Sequence, residues 1–236
     1  MSAALAARAD DWGSLSASVD VTSDYRFRGL SGNQRDPALQ GGVDWSDDGW
    51  RAGMWTSNVD FGDHEHTRAE VDVSAGKEVE LRGSIIDFTV TYYTYPLRIR
   101  PKGEPVYSFA EAALKASHSF GKFGISGELA WSPDSFGESG MSWYVAAGAT
   151  YQLEDWLSAS ANVGEQWVRD LDRLKPAGYP YTHWDAGLTA SYGKFSLDLR
   201  YIDSSLSRRN CQIVMGAADL CSATGVATLT WQTGGE

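Results

Sequence analysis

Apolar and polar residues alternate along most of this chain. From Ser14 to Gly29, Leu15, Ala17, Val19, Val21, Tyr25 and Phe27 share one face of an extended segment. Ser16, Ser18, Asp20, Thr22, Asp24, Arg26 and Arg28 share the other. Similar stretches recur at about 38–46, 51–61, 68–78, 85–95, 106–117, 122–132, 141–153, 157–167, 181–192, 194–203 and 223–231. With the first they make about twelve strands, an even number, each long enough to cross a bilayer at a tilt. No linker or composition shift divides them. The pattern predicts an all-β chain whose residues 10–236 form a single transmembrane, antiparallel, up-and-down β-barrel.

The connections carry a second pattern. Long polar segments follow the odd-numbered strands: GLSGNQRDP, GDHEHT, PLRIRPKGEP, SPDSFGESG, VRDLDRLKPAGYP and roughly Ser204 to Ser222. Short turns follow the even ones: SDDG, ELRG, SFGK, LEDW and YGK. An outer-membrane barrel has this two-ended geometry, with long loops outside and tight turns on the periplasmic side. A soluble aromatic-rich β-sandwich has no reason to alternate so regularly.

Composition fits a barrel. There are 25 Gly, 10 Trp and 11 Tyr but only 7 Pro and 4 His among 236 residues. Trp and Tyr combine an apolar body with a polar tip and suit a membrane–water boundary. Trp55, Trp131, Trp143, Trp167, Trp184 and Trp231 lie near strand ends and are expected to point outward. Mean hydropathy is −0.34 and no run approaches the length of a helical span, which is compatible with strands that show lipid only alternate residues. The net charge of −11 disfavours a nucleic-acid partner.

Residues 1–9, MSAALAARA, read as the remnant of a secretory signal or a disordered N-terminus, with Ala7-Arg8-Ala9 in the small-x-small form before Asp10. In an exported chain, Cys211 and Cys221 suit a disulfide. The pair sits in the longest loop, where closure would contribute about 2–3 kcal/mol in the chain-entropy model.

Several stretches together resemble a known family. They are SASVDVTSDYRFRGLS at 16–31, DPALQGGVDW at 36–45, GMWTSNVDFG at 53–62, AEVDVSAG at 69–76, TYYTYP at 91–96, WSPDSFG at 131–137, HWDAGL at 183–188 and LDLRYIDS at 197–204, followed by the two cysteines. In this order they resemble the TorF-type outer-membrane porins of Gram-negative bacteria. The resemblance implies a secreted barrel with a pore function and supplies no substrate. One departure is the C-terminus: Trp231 is followed by Gln232-Thr233-Gly234-Gly235-Glu236, whereas such barrels usually end on the aromatic residue that the barrel-assembly machinery reads.

Candidate chemistry lies in the lumen. The alternation assigns Asp20, Asp24, Arg26, Arg28, Asp44, Asn58, Asp60, Glu70, Asp72, Asp87, Glu111, Lys115, Glu128, Asp185, Asp198 and Arg200 to the polar inner face. Acids outnumber bases, which favours cations. Two arginines desolvated in a narrow lumen would be costly alone, so Arg26 and Arg28 are expected opposite carboxylates, with Asp44 on the neighbouring strand. The same groups could instead form a paired network that mainly fixes the wall.

Enzymatic readings are weaker. His64-Glu65-His66 lacks a third metal ligand, and Ser117-His118-Ser119 places its serines and histidine on opposite faces of a strand. In His183-Trp184-Asp185, His183 reads as a rim residue, Trp184 as a belt residue and Asp185 as lumenal. No phosphate-cradling glycine loop or CxxC pair appears, and no catalytic residue, metal or cofactor is expected. Expected partners are outer-membrane lipid and lipopolysaccharide, small polar solutes and the barrel-assembly machinery. The sequence therefore predicts a non-enzymatic pore for passive diffusion of small polar solutes, cations among them. The alternative is a structural or adhesive barrel with a closed lumen and binding loops.

Overall fold

A computed structural model describes residues 13–63, 67–100, 102–168 and 180–233. Twelve antiparallel strands close into one barrel. They are β1 (Ser14–Thr22), β4 (Ala38–Asp47), β5 (Trp50–Asn58), β6 (Ala69–Leu81), β7 (Ser84–Thr94), β8 (Phe109–Phe120), β9 (Phe123–Ser132), β10 (Ser142–Glu154), β11 (Leu157–Val168), β12 (Tyr181–Tyr192), β13 (Phe195–Ser204) and β14 (Thr224–Gln232). Each pairs with its sequence neighbours, and β1 pairs with β14 from Ser18↔Gln232 to Thr22↔Thr228 to close the sheet. Closure leaves no free edge, so backbone N–H and C=O groups along the wall find partners without water.

Tight turns join the hairpins at one end. At Asp48-Gly49 and Arg82-Gly83 both residues have positive φ, 44° and 76° then 54° and 79°, as a two-residue hairpin loop requires. The long connections gather at the other end. The residues around the tight turns and the strand order agree with the alternation of short and long segments in the sequence.

The outer face is apolar and the inner face polar, the reverse of a soluble barrel. Leu15, Val19, Val43, Met54, Val73, Phe88, Leu114, Leu129, Val145, Val163, Leu188, Leu199 and Leu229 are all exposed on the outside. Trp131, Trp143, Trp167, Trp184 and Trp231 share that face, as do Trp45 and Trp50. Trp55 does not. It lies one residue from exposed Met54, faces inward and packs its ring 5.4 Å from that of Tyr25.

The first strand also ends earlier than its alternation suggests. Its neighbours stop at Thr22, which pairs with Ala38 on one side and Thr228 on the other. Beyond it the chain leaves the wall, and residues 23–37 fold back into the barrel around a two-residue ladder, β2 (Arg26–Phe27) and β3 (Leu30–Ser31). Tyr25 and Phe27 therefore face lumenal rings rather than the outside.

The last long connection is not irregular. It contains helix α1 (Arg208–Met215), started by the Ser207 hydroxyl, which accepts from Asn210 N at 3.2 Å, and stopped by Gly216 at φ 80°. Cys211 and Cys221 are disulfide-bonded, and with Leu220 they form a buried apolar knot packed by Leu30, Leu206, Met215 and Ala217. The disulfide thus links α1 to the residues that touch the inward-folded first loop. Replacing both cysteines by serine should lower the stability of segment 205–223 by about 2–3 kcal/mol. Limited proteolysis should then cut within it while the barrel stays folded; an unchanged cleavage pattern would refute the role.

Candidate functional site

The lumen is the candidate site, and Arg28 is its most constrained group. Arg28 sits at the tip of the first loop at φ 48°, a left-handed conformation that an ordinary residue adopts only when its surroundings hold it there. Its Nη1 donates to Glu111 Oε2 at 2.9 Å and its Nη2 to Glu111 Oε1 at 2.7 Å, a bidentate pair. Nη1 also donates to Gln166 Oε1 at 2.7 Å. The guanidinium lies 3.9 Å from the ring centroid of Tyr144 and 4.8 Å from that of Phe27. Glu111 belongs to β8, Tyr144 to β10 and Gln166 to β11. A loop that starts on β1 therefore reaches across the barrel and is anchored on the far wall.

The side chains of Arg28 and Glu111 are only 9% and 5% exposed, so neither charge has water as a substitute partner. Burial by itself would lower the Arg28 pKa, but the Glu111 carboxylate outweighs it and holds it above its ordinary value. Gly29 follows at φ 85°, and a Cβ there would lie 2.7 Å from Cβ of His183. Only glycine fits this approach. His183 is not at the rim: it is buried on the inner face, its Nε2 2.9 Å from the Tyr144 hydroxyl and its ring stacked on that of Tyr144.

The base of the loop is equally tied. Asp24 is buried and accepts from Arg26 Nε and Ser31 Oγ, both at 2.7 Å. Arg26 also donates to the Leu220 carbonyl at 2.8 Å, and Ser31 N donates to the same carbonyl at 2.9 Å. Leu220 is part of the disulfide knot, so the last connection clamps the first one in place. The Tyr25 hydroxyl bonds Glu70; burial, then the nearby Glu70 charge, raises its pKa well above the usual value and keeps it a donor.

The sequence-predicted residues fall into four groups. Asp20, Asp44, Glu70, Asp72, Asp87, Glu111, Lys115, Glu128, Asp185, Asp198 and Arg200 lie on the inner wall. Asp24, Arg26 and Arg28 belong to the inward-folded loop. Asp60 lies past the end of β5, where it bridges Asn33 of that loop and accepts from Gly62 N at 2.8 Å. Asn58 is on the opposite parity, with exposed Met54, and its Oδ1 accepts from Leu39 N at 2.6 Å; it is not lumenal. Asp44 does not meet the loop arginines, because it pairs in register with Ser16 near the tight-turn end.

Below the loop the wall is a chain of opposite charges. Arg51 contacts Asp87 and lies 4.0 Å from Glu78. Lys115 lies 3.9 Å from Glu128. Arg200 contacts Asp185 and, at 3.0 Å, Asp198. Asp20 accepts from Thr230, while Oδ1 of Asp72 is buried without a hydrogen-bond partner among the described residues. Sequence reasoning missed Arg51, Tyr93, Tyr144, Gln166 and the inward aromatics of the loop. His118 points away from the serines beside it and bonds Ser84 Oγ at 2.9 Å. The His64-Glu65-His66 run, residues 1–9 and Gly234 onward lie outside the described residues.

Among the described residues, two adjacent cavities lie in the lumen. One of about 260 Å³ lies under the loop tip, lined by Phe27, Arg28, Tyr93, Glu111 and Tyr144 among others. The second, about 540 Å³, continues toward the tight-turn end past Arg51, Asp87 and Asp185. Lys115, Glu128 and Tyr144 border both.

A closed barrel with an apolar exterior and a charged, hollow interior defines a porin-type fold, and solved structures agree. The chain is similar to the NanC porin, with a TM-score of 0.58 and 12% identity over 92% of this chain and 100% of that one. The KdgM porin, solved in complex with disordered oligogalacturonate, is similar at a TM-score of 0.53 and 6% identity over 94% and 99% of the two chains. OmpF of Salmonella typhi, in complex with daunomycin, gives 0.50 and 8% over 93% and 97%. By sequence, the chain belongs to the Gcw_chp family, described as bacterial protein of unknown function, whose model matches residues 6–232. A search of curated proteins returns no sequence match.

Arg28→Ala should leave Glu111 buried and unpaired, at a cost of about 3–5 kcal/mol. Arg28→Lys should recover little of it, since an ammonium cannot span both carboxylate oxygens. Chemical unfolding of folded protein in detergent measures both; equal stability of Arg28→Lys and the native chain would show that the bidentate geometry is unimportant.

Proposed function

We propose that this protein is an outer-membrane, porin-like channel for passive diffusion of small polar solutes, with a preference for cations. The observation that carries the reading is the adjacent pair of cavities, bordered by charged side chains, inside a barrel whose outer surface is apolar. The resemblance to TorF-type porins supports the same class. The outward indoles and the apolar band suit outer-membrane lipid and lipopolysaccharide as surroundings, and assembly by the barrel-assembly machinery follows from that location. Twelve strands stand between the side-chain-filled interior of eight and the aqueous channel of sixteen, so the pore is narrow before any loop enters it.

Selectivity follows from the pairing. Arg26, Arg28, Arg51 and Arg200 each have a carboxylate partner, which cancels most of their field. Asp20 and Asp44 have no basic partner among the described ion pairs and attract cations. In planar bilayers the native protein should give defined open steps and a cation-directed reversal potential across a salt gradient. Replacing Asp20 and Asp44 together by Asn should roughly halve the cation-over-anion permeability ratio. Anion preference in the native protein would contradict this view of the lumen.

One observation favours the alternative of a closed barrel with binding loops: the first loop enters the barrel and is anchored on the far wall. A correctly folded but electrically silent barrel would establish that alternative. The membrane-facing assignment has its own check. Leu188→Arg, in the middle of the apolar face, should destabilise the barrel in lipid by about 2–4 kcal/mol. Asn162→Arg, on the inner face of the adjacent strand, should cost far less. Equal losses would argue against a lipid-facing exterior.

A further inference from the structure

We propose that the 260 Å³ cavity under the first loop is a binding site for a small zwitterion of the amino-acid type. This deepens the channel reading, on which its role in permeation rests, by naming a solute class.

The charges bordering this cavity differ in how well they are satisfied. Arg28 and Glu111 form its roof and bind each other through two hydrogen bonds, with a third from Arg28 to Gln166. They offer a ligand little. Asp87, adjacent to Lys115 in register, is held by Arg51 and by Thr89 Oγ1 at 2.7 Å. Lys115 and Glu128 face each other across β8 and β9 at the floor. Their closest N···O distance is 3.9 Å, beyond hydrogen-bond range, and neither makes a side-chain hydrogen bond among the described residues. Their side chains remain 54% and 27% exposed to the lumen.

The site therefore presents one ammonium and one carboxylate, side by side and each with bonding capacity to spare. The local charges cancel: Arg28 with Glu111, Arg51 with Asp87, and Lys115 with Glu128. A simple cation or anion gains from one floor group and is opposed by the other. A molecule carrying both charges gains from both, its carboxylate at Lys115 and its ammonium at Glu128. The Thr91 hydroxyl and the rings of Phe27, Tyr93 and Tyr144 complete the lining and suit an uncharged, partly apolar body. Both floor residues also border the larger cavity, so a ligand bound here lies on the route toward the tight-turn end.

Calorimetric titration of the folded full chain in detergent tests this without requiring conductance. The probes are phenylalanine, phenethylamine and 3-phenylpropanoate, which share a body; the latter two each lack one of the two charged groups of phenylalanine. Phenylalanine should bind at least tenfold more tightly than either. Lys115→Met should reduce phenylalanine to about the affinity of phenethylamine, and Glu128→Gln to about that of 3-phenylpropanoate. Native heat-modifiable migration on gels verifies that each variant is folded. Equal binding of the three probes, no binding of phenylalanine, or unchanged affinity in both variants would overturn the proposal. An electrically silent barrel that still binds phenylalanine selectively would overturn the channel reading and leave this site standing.

Discussion

Closure of the sheet between β1 and β14 is the constraint on which the other features depend. A closed antiparallel wall satisfies its own backbone, so its exterior needs no polar groups and its interior can be hollow. Side chains then have only two destinations, set by the two-residue period of a strand. Leu199 goes outward and Arg200 inward, and neither could exchange with the other without a large cost. Once the wall is closed, charges that would be unremarkable on a soluble surface become neighbours across a confined space. The cross-strand sequence Asp87, Lys115, Glu128 is one result, a row of alternating charge on three consecutive strands.

The inward-folded first loop exploits that space. Its tip carries a positive φ at Arg28, unfavourable outside this setting, followed by a glycine whose missing Cβ leaves room for His183. Two sets of contacts offset that strain. At the tip, Arg28 engages Glu111, Gln166 and Tyr144 on the far wall; at the base, Arg26 and Ser31 engage the carbonyl of Leu220. Because Leu220 belongs to the disulfide knot, the first and last connections of the chain stabilise each other. Extra rigidity at the mouth comes from Phe61, Tyr95, Tyr107 and Phe136, whose rings pack together across three further connections.

Much of this fold was legible in the sequence because strand alternation and turn length are local properties. The barrel class, the strand number and the two-ended distribution of loops all follow from them. What failed did so where the answer depends on a distant partner. In WRAGMWTSN both parities carry an aromatic and a polar residue, so a one-residue choice decides the face. That single choice put Trp55 outside, Asn58 inside and left Arg51 unnoticed. The first strand failed differently: period-two alternation runs on through Tyr25 and Phe27, but the ladders with β4 and β14 stop at Thr22, with a last backbone bond from Ser23 N to the Ala227 carbonyl. Its acidic contacts with Arg26 and Arg28 come from Asp24 and Glu111, one within the loop and one across the barrel, rather than from the neighbouring Asp44.

A porin-type wall surrounds the lumen, and the first loop reaches across its long-loop mouth to the far wall. The most direct measurement is single-channel conductance of the chain with residues 26–31 replaced by a short glycine linker, compared with the native protein. Removing the Arg28 tip and its contacts should open the mouth and raise the unitary conductance several-fold, with the twelve-stranded wall intact. An unchanged conductance in a correctly folded barrel would contradict the account.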